Sequence, residues 1–184
     1  MAKKKNPWDL PSPESKGDDD ATAIHASVGA ALTWFEILQE NLSSLFCVLV
    51  GSDTGALRRA LGTIESVPQK TTMARYAARV SLRGHAELLN RTESLLTEIE
   101  NFSQRRNDIA HAYVLDMSVN GERWGCYLVP GSHVSKKISI DPGDERWTYR
   151  LTAAQVTSLG QEFRRVGYAV NILAMDIRGV QLAN

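Results

Sequence analysis

Apolar side chains recur along this chain at steps of three and four residues, and four stretches of that kind dominate it. The first carries Ile24, Val28, Ala31, Phe35, Leu38, Leu42, Leu45 and Leu49, which predicts a helix over about 21–50, ended by Gly51, Ser52 and Asp53. A shorter stripe of Leu57, Leu61 and Ile64 predicts a second helix, interrupted near Pro68, and residues 69–84 read as helical again. The clearest stripe is Leu88, Thr92, Leu95, Ile99, Phe102, Arg106, Ile109 and Tyr113, which predicts a helix over about 85–113. The pattern then changes. Asn120-Gly121 is a turn signal, followed by aromatic and β-branched residues, and Asp141-Pro142-Gly143-Asp144 marks another turn. These features predict a small β-hairpin or meander over about 119–151. Thr152 and Gln155 have the spacing of a capping box, and a last helix follows with Val156, Leu159, Phe163, Val166, Val170, Leu173 and Ile177 on one stripe.

The expected architecture is therefore mainly α, an antiparallel helical bundle with a small β insertion before the last helix. Residues 1–17 hold several lysines, three prolines and few core formers, and read as a flexible tail. Residues 18–184 read as one domain. Asp18, Asp19 and Asp20 place negative charge where a helix N-terminus favours it.

Composition narrows the function classes. Lysine plus arginine and aspartate plus glutamate both total 21, so no global basic field attracts long duplexes, and a nucleic-acid role needs a local patch. Cys47 and Cys126 stand in apolar neighbourhoods without metal-ligand spacing, which reads as buried thiols in a reducing compartment. The basic N-terminus lacks the apolar segment of a secretory signal, and the most apolar run, residues 42–50, is short for a bilayer span. The expectation is a cytoplasmic protein without membrane association, metal or cofactor.

The chemistry concentrates in residues 104–113, QRRNDIAHAY. Arg106 holds a stripe position otherwise occupied by core residues, where an arginine is costly unless an anion meets it. Asn107 and His111, four apart, share a helix face, whereas His111 lies roughly 140° around a straight helix from Arg106. A histidine can exchange a proton near neutral pH, and an arginine fork can grip phosphate oxygens. A helix–helix dimer with a seam around residues 99–113 would bring two such sets into one groove.

This segment resembles the signature of the HEPN superfamily, an arginine, then a polar residue, then a histidine after four to six intervening residues: here Arg106, Asn107 and His111. Tyr113 extends the match to a toxin subgroup in which a partner antitoxin modifies that tyrosine. The resemblance covers about ten residues and suits a helical bundle. It implies a metal-independent endoribonuclease working as a homodimer on RNA, leaving 2′,3′-cyclic phosphate and 5′-hydroxyl ends, often as a toxin or phage-defence effector. In that role His111 would activate the 2′-hydroxyl or protonate the leaving 5′-oxygen, Arg106 would stabilise the pentacoordinate transition state and Asn107 would orient His111 or the phosphate. The β insertion departs from the minimal toxin form. The chain also lacks a nucleotidyltransferase signature, so an antitoxin or regulatory partner would be a separate protein.

Other candidates each have a plainer reading. Arg75, Arg79 and Arg83 step by fours and could form a lane for RNA phosphates, or a solvated helix face. Arg58 with Arg59 offers a second such choice. His25 and His85 lack partners at metal spacing; His133 with Lys136 and Lys137 reads as a hairpin tip, and Trp124 and Trp147 as cross-strand packing. Against the ribonuclease stands a non-catalytic helical dimer that binds a partner or nucleic acid, with an Asn107, Asp108 and His111 cluster stabilising the helix end.

Overall fold

The structure is a computed structural model, and it describes residues 6–131 and 149–183. Within these the chain forms α1 (Ala21–Leu49), α2 (Gly55–Gly62), α3 (Val67–Ser81), α4 (Ala86–Ala110), β1 (Ala112–Val119), β2 (Glu122–Pro130) and α5 (Ala153–Ala183). The fold is mainly helical, with a two-stranded antiparallel sheet before the last helix. It divides into two compact units, residues 1–33 with 104–162, and residues 34–103 with 163–184. Helices α1, α4 and α5 contribute residues to both.

The second unit is a helical core. Phe163 of α5 meets Phe35 of α1 and Phe102 of α4 edge-to-face, with ring centroids 5.2 and 5.7 Å apart. Helices α1 and α5 approach closely at Gly167, where a Cβ would lie 3.4 Å from the Leu38 Cα, and Asn41 Nδ2 donates to the Gly167 carbonyl at 3.0 Å. On α4 the buried line runs through Thr92, Leu96, Ile99 and Phe102, so Leu96 takes the core place that simple stepping assigns to Leu95. Thr54 caps α2 by accepting from the Leu57 N–H at 3.2 Å. Pro68 sits in the first turn of α3, where its missing N–H costs nothing, so it starts a helix rather than merely interrupting one.

The first unit is built around β2. One edge of β2 pairs with β1 in the register Tyr113↔Val129, Leu115↔Tyr127 and Met117↔Gly125. Its other edge is taken by isolated bridges, Asp18 with Cys126 and Leu151 with Leu128. The turn is Asn120-Gly121 with positive φ at both residues (54° and 82°), the geometry a tight hairpin demands. The register shifts between Met117 and Ser118, leaving Trp124 as an extra residue on β2. The neighbouring Gly125 has φ 103°, and a Cβ there would lie 2.7 Å from the Asp18 carbonyl oxygen. Met117, Tyr127 and Val129 form a small core on one face of the sheet, with Leu115 and Trp124 packed against it.

Two expectations need correction. First, helix α4 ends at Ala110 and the strand begins at Ala112, about seven residues earlier than the β segment expected from 119. Tyr113 follows the helical stepping from Ile109, but Tyr113, Val114 and Leu115 are strand formers and β2 offers them a ladder. Second, the segment read as part of a flexible tail is bonded into the first unit from Ser12 onward. Gly17 N–H donates to the Trp124 carbonyl (2.8 Å), Gln155 Nε2 to the Ser12 carbonyl (2.8 Å), and Arg150 Nη2 and Nε to the Glu14 carbonyl (2.9 and 3.1 Å). Composition misses this because backbone groups make most of the bonds. The expected capping box does form: Thr152 N–H donates to Gln155 Oε1 (3.1 Å), and Gln155 N–H to Thr152 Oγ1 (3.4 Å).

Helix α1 is long and apolar enough to cross a bilayer by length and composition alone. Here its apolar residues are buried as a stripe, and Glu36 and Glu40 stand on the same helix.

Candidate functional site

The end of α4 carries the motif. The last helical turn is closed by His111 N–H donating to the Asn107 carbonyl at 3.1 Å, so residues 107 and 111 stand one above the other, as their spacing requires. The His111 carbonyl in turn accepts from Gly131 N–H at 3.2 Å. His111 is therefore held through its backbone at the point where helix gives way to strand, and its imidazole is exposed. Arg106 is half-buried and its Nη1 donates to Asn107 Oδ1 at 3.3 Å. The structure thus joins Arg106 to Asn107 by side chain, and Asn107 to His111 by backbone. Tyr113, 46% exposed, is on β1 rather than on the helix.

A second set of polar groups lies directly beside the motif; of these the sequence reading included Asp108 but neither Arg105 nor Tyr149. Arg105 Nη1 pairs with Asp108 Oδ2 at 3.1 Å, with both side chains largely buried. The Tyr149 hydroxyl is buried, and burial first, then the neighbouring Asp108 carboxylate, raise its pKa well above the usual tyrosine value. The i, i+3 spacing of Arg105 and Asp108 was available as a signal. Nothing in the sequence points to Tyr149, which is about forty residues away.

Arg150 is a further buried cation. It is 8% exposed, its guanidinium lies 5.0 Å from the centroids of both Trp124 and Tyr127, and it holds the Glu14 carbonyl. Trp124 thus packs within the sheet unit, in keeping with its plainer reading. Trp147, His133, Lys136 and Lys137 lie outside the described residues.

The lane expected for RNA phosphates is largely committed elsewhere. Arg75 pairs with Glu93 (2.7 Å) and Glu100 (3.0 Å), and Arg79 pairs with Glu93 (2.8 Å); Arg83 is exposed. Two of the three arginines are thereby neutralised by α4, which weakens any phosphate attraction there. Burial alone would raise the Glu100 carboxyl, but hydrogen bonds from Arg75 and Thr71 outweigh it and hold Glu100 below the ordinary carboxylate value. Arg58 is likewise paired, with Asp53 (2.7 Å) and Glu40 (2.9 Å).

Of the stretch 99–113 expected at a dimer seam, Ile99, Phe102 and Ile109 are at most 1% exposed and serve the chain's own core, whereas Asn107, His111 and Tyr113 are exposed. Among the described residues no group of three or more His, Cys, Asp or Glu is placed to hold a metal ion. A cleft of about 450 Å3, lined by Asn6, Asp9, Glu14, Gln155, Ser158 and Glu162 among others, contains none of the motif residues. Comparison with protein-family models, with curated proteins and with solved structures finds no match to this chain.

Proposed function

We propose that this chain is a metal-independent endoribonuclease of HEPN type, acting in the cytoplasm as a homodimer. The observation that carries the reading is the arrangement at the end of α4: an exposed His111 anchored by its backbone, stacked over Asn107, with Arg106 bonded to Asn107. An exposed imidazole can reach an RNA 2′-hydroxyl and take its proton. The freed oxygen attacks the adjacent phosphorus, the bond from phosphorus to the 5′-oxygen breaks, and that oxygen takes up a proton from water or from the protonated imidazole, giving a 2′,3′-cyclic phosphate and a 5′-hydroxyl. Arg106 supplies positive charge to the pentacoordinate phosphorus as negative charge builds on its oxygens. Asn107, whose Oδ1 accepts from Arg106, would orient His111 or the phosphate. The exposed Tyr113 is the residue a regulatory partner would reach. Action as a toxin or phage-defence effector belongs to the same proposal.

The non-catalytic reading also has an observation in its favour. The Arg105–Asp108 ion pair, three residues apart at the motif's helix end, gives this segment a structural role that needs no RNA. Incubating the purified protein with end-labelled RNA in EDTA separates the two readings. Fragments with cyclic phosphate ends, lost in His111→Ala, support the ribonuclease; intact RNA together with a stable dimer supports the scaffold.

A further inference from the structure

Residues 12–19 run past the edge of β2 that β1 leaves open, bridging it at Asp18 and Cys126, and three side-chain donors converge on one oxygen of this strap. The Glu14 carbonyl accepts from Arg150 Nη2 (2.9 Å), Arg150 Nε (3.1 Å) and the Tyr127 hydroxyl (3.3 Å). Arg150 is buried, with the Trp124 and Tyr127 rings packed on its guanidinium. A buried cation and a phenol aimed at one point suit an anionic oxygen, because a charged acceptor is bonded roughly twice as strongly as a neutral one. Here the acceptor is a neutral carbonyl. The strap carries negative charge alongside it: Glu14 Oε1 accepts from Thr152 Oγ1 (3.4 Å), and Asp18 Oδ2 from Ala153 N–H (2.7 Å). It thus brings the Arg150 socket an oxygen acceptor and flanking negative charge, as a nucleic-acid backbone does.

We infer that residues 12–19 are an autoinhibitory strap, and that the socket beneath them, Arg150 with Tyr127, binds a phosphate of single-stranded RNA in place of the Glu14 carbonyl. RNA as the ligand rests on the ribonuclease reading; the displaceable strap rests on two features of its own. First, Ser12, Pro13, Glu14, Ser15 and Lys16 are all exposed, so this part of the strap is held by hydrogen bonds and buries little apolar surface. Such a segment opens locally at small cost. Second, the carboxylates of Glu14 and Asp18 leave with the strap. Arg150 then keeps its charge without them, and an incoming phosphate meets attraction rather than repulsion. The closed strap also depends on Gly17, where a Cβ would lie 2.5 Å from the Cys126 carbonyl oxygen and 2.7 Å from Tyr127 Cε2. A side chain at that position lifts the strap, which makes the inference testable.

The test uses the full chain and a 2′-O-methyl oligoribonucleotide, which lacks the hydroxyl that cleavage needs. In the wild type, saturating oligonucleotide should speed hydrogen exchange at the Gly17 and Asp18 amides, which the closed strap bonds to the Trp124 and Cys126 carbonyls. Inorganic phosphate at the same concentration should not. Gly17→Val should bind the oligonucleotide about tenfold more tightly or better, since closure no longer reduces the competent fraction. In that background Arg150→Lys should lose the gain, because an ammonium cannot reproduce the guanidinium fork. Far-UV circular dichroism shows whether the variants fold; if Gly17→Val does not, the wild-type exchange decides. Unchanged or slower exchange at 17 and 18 with oligonucleotide present would overturn the inference. So would a folded Gly17→Val that binds no more tightly than its parent, a gain that Arg150→Lys leaves intact, or opening by inorganic phosphate alone. Ordinary RNA cleaved beside an unmoved strap would sink this inference and keep the ribonuclease, whereas a strap displaced by oligonucleotide without cleavage of ordinary RNA would do the reverse.

Discussion

At the residue scale the decisive contrast is between two arginines. Arg106 was conspicuous in the sequence because it interrupts an apolar stripe. Arg150, the more buried of the two, was not, because its partners are Glu14, Trp124 and Tyr127, and no spacing rule links them. Removing Arg150 deletes two ring contacts and two hydrogen bonds to one carbonyl. Arg150→Ala should therefore destabilise the fold by about 2–3 kcal/mol, read from denaturant midpoints. An unchanged midpoint would mean that the N-terminal segment is not held by this guanidinium. At the motif the expectation is opposite: His111→Ala and Arg106→Lys should abolish or strongly reduce RNA cleavage while shifting the melting temperature little. His111 is exposed, and Arg106→Lys keeps the charge but loses the planar fork. Mutants that melt far below the parent, from a parent that never cleaved RNA, would favour the structural role.

At the element scale the helices were legible and the junctions less so. Long stripes of threes and fours located α1, α4 and α5 because tertiary burial follows the same period as the helix. The Thr152–Gln155 box was legible for a local reason, since both partners lie in one turn. The start of β1 was not. Tyr113 satisfies a helical step and a strand alternation alike, and pairing with Val129 decides between them. The bonding of residues 12–18 was also hidden, because a backbone carbonyl leaves no mark in composition. Deleting residues 1–17 should therefore lower the melting temperature by several degrees, whereas deleting 1–5 leaves every bond named here in place.

Helix α3 is held to α4 by charge, and this gives a pH dependence. The folded pKa of Glu100 lies below its ordinary value of 4.5, so the unfolded chain binds the proton more readily. The stabilisation is present above that ordinary value and is lost as pH falls through the folded pKa. Glu100→Gln should flatten the acid limb of the stability curve below about pH 4.5. An acid limb identical to the parent's would show that Arg75 is not its partner in solution. Tyr149 has the opposite consequence at the alkaline end. Its raised pKa contributes stability below the ordinary tyrosine range, and that contribution is lost as pH rises beyond it.

At the scale of the whole molecule, the balanced charge and the paired arginines of α3 leave no broad cationic surface on that helix. RNA affinity should accordingly depend on few phosphates and show a shallow salt slope, measured by titration at increasing ionic strength. A steep slope would point to a basic surface outside the residues described. The resemblance carried by Arg106, Asn107, His111 and Tyr113 remains the reason to look for RNA cleavage at all, and the exposed, backbone-anchored His111 is what supports it physically. The most direct test is end-group analysis of labelled RNA incubated with the wild-type protein and with His111→Ala, both in EDTA. The account predicts fragments with 2′,3′-cyclic phosphate and 5′-hydroxyl ends from the wild type and none from the variant. Intact RNA with the wild type, or the same fragments from His111→Ala, would contradict it.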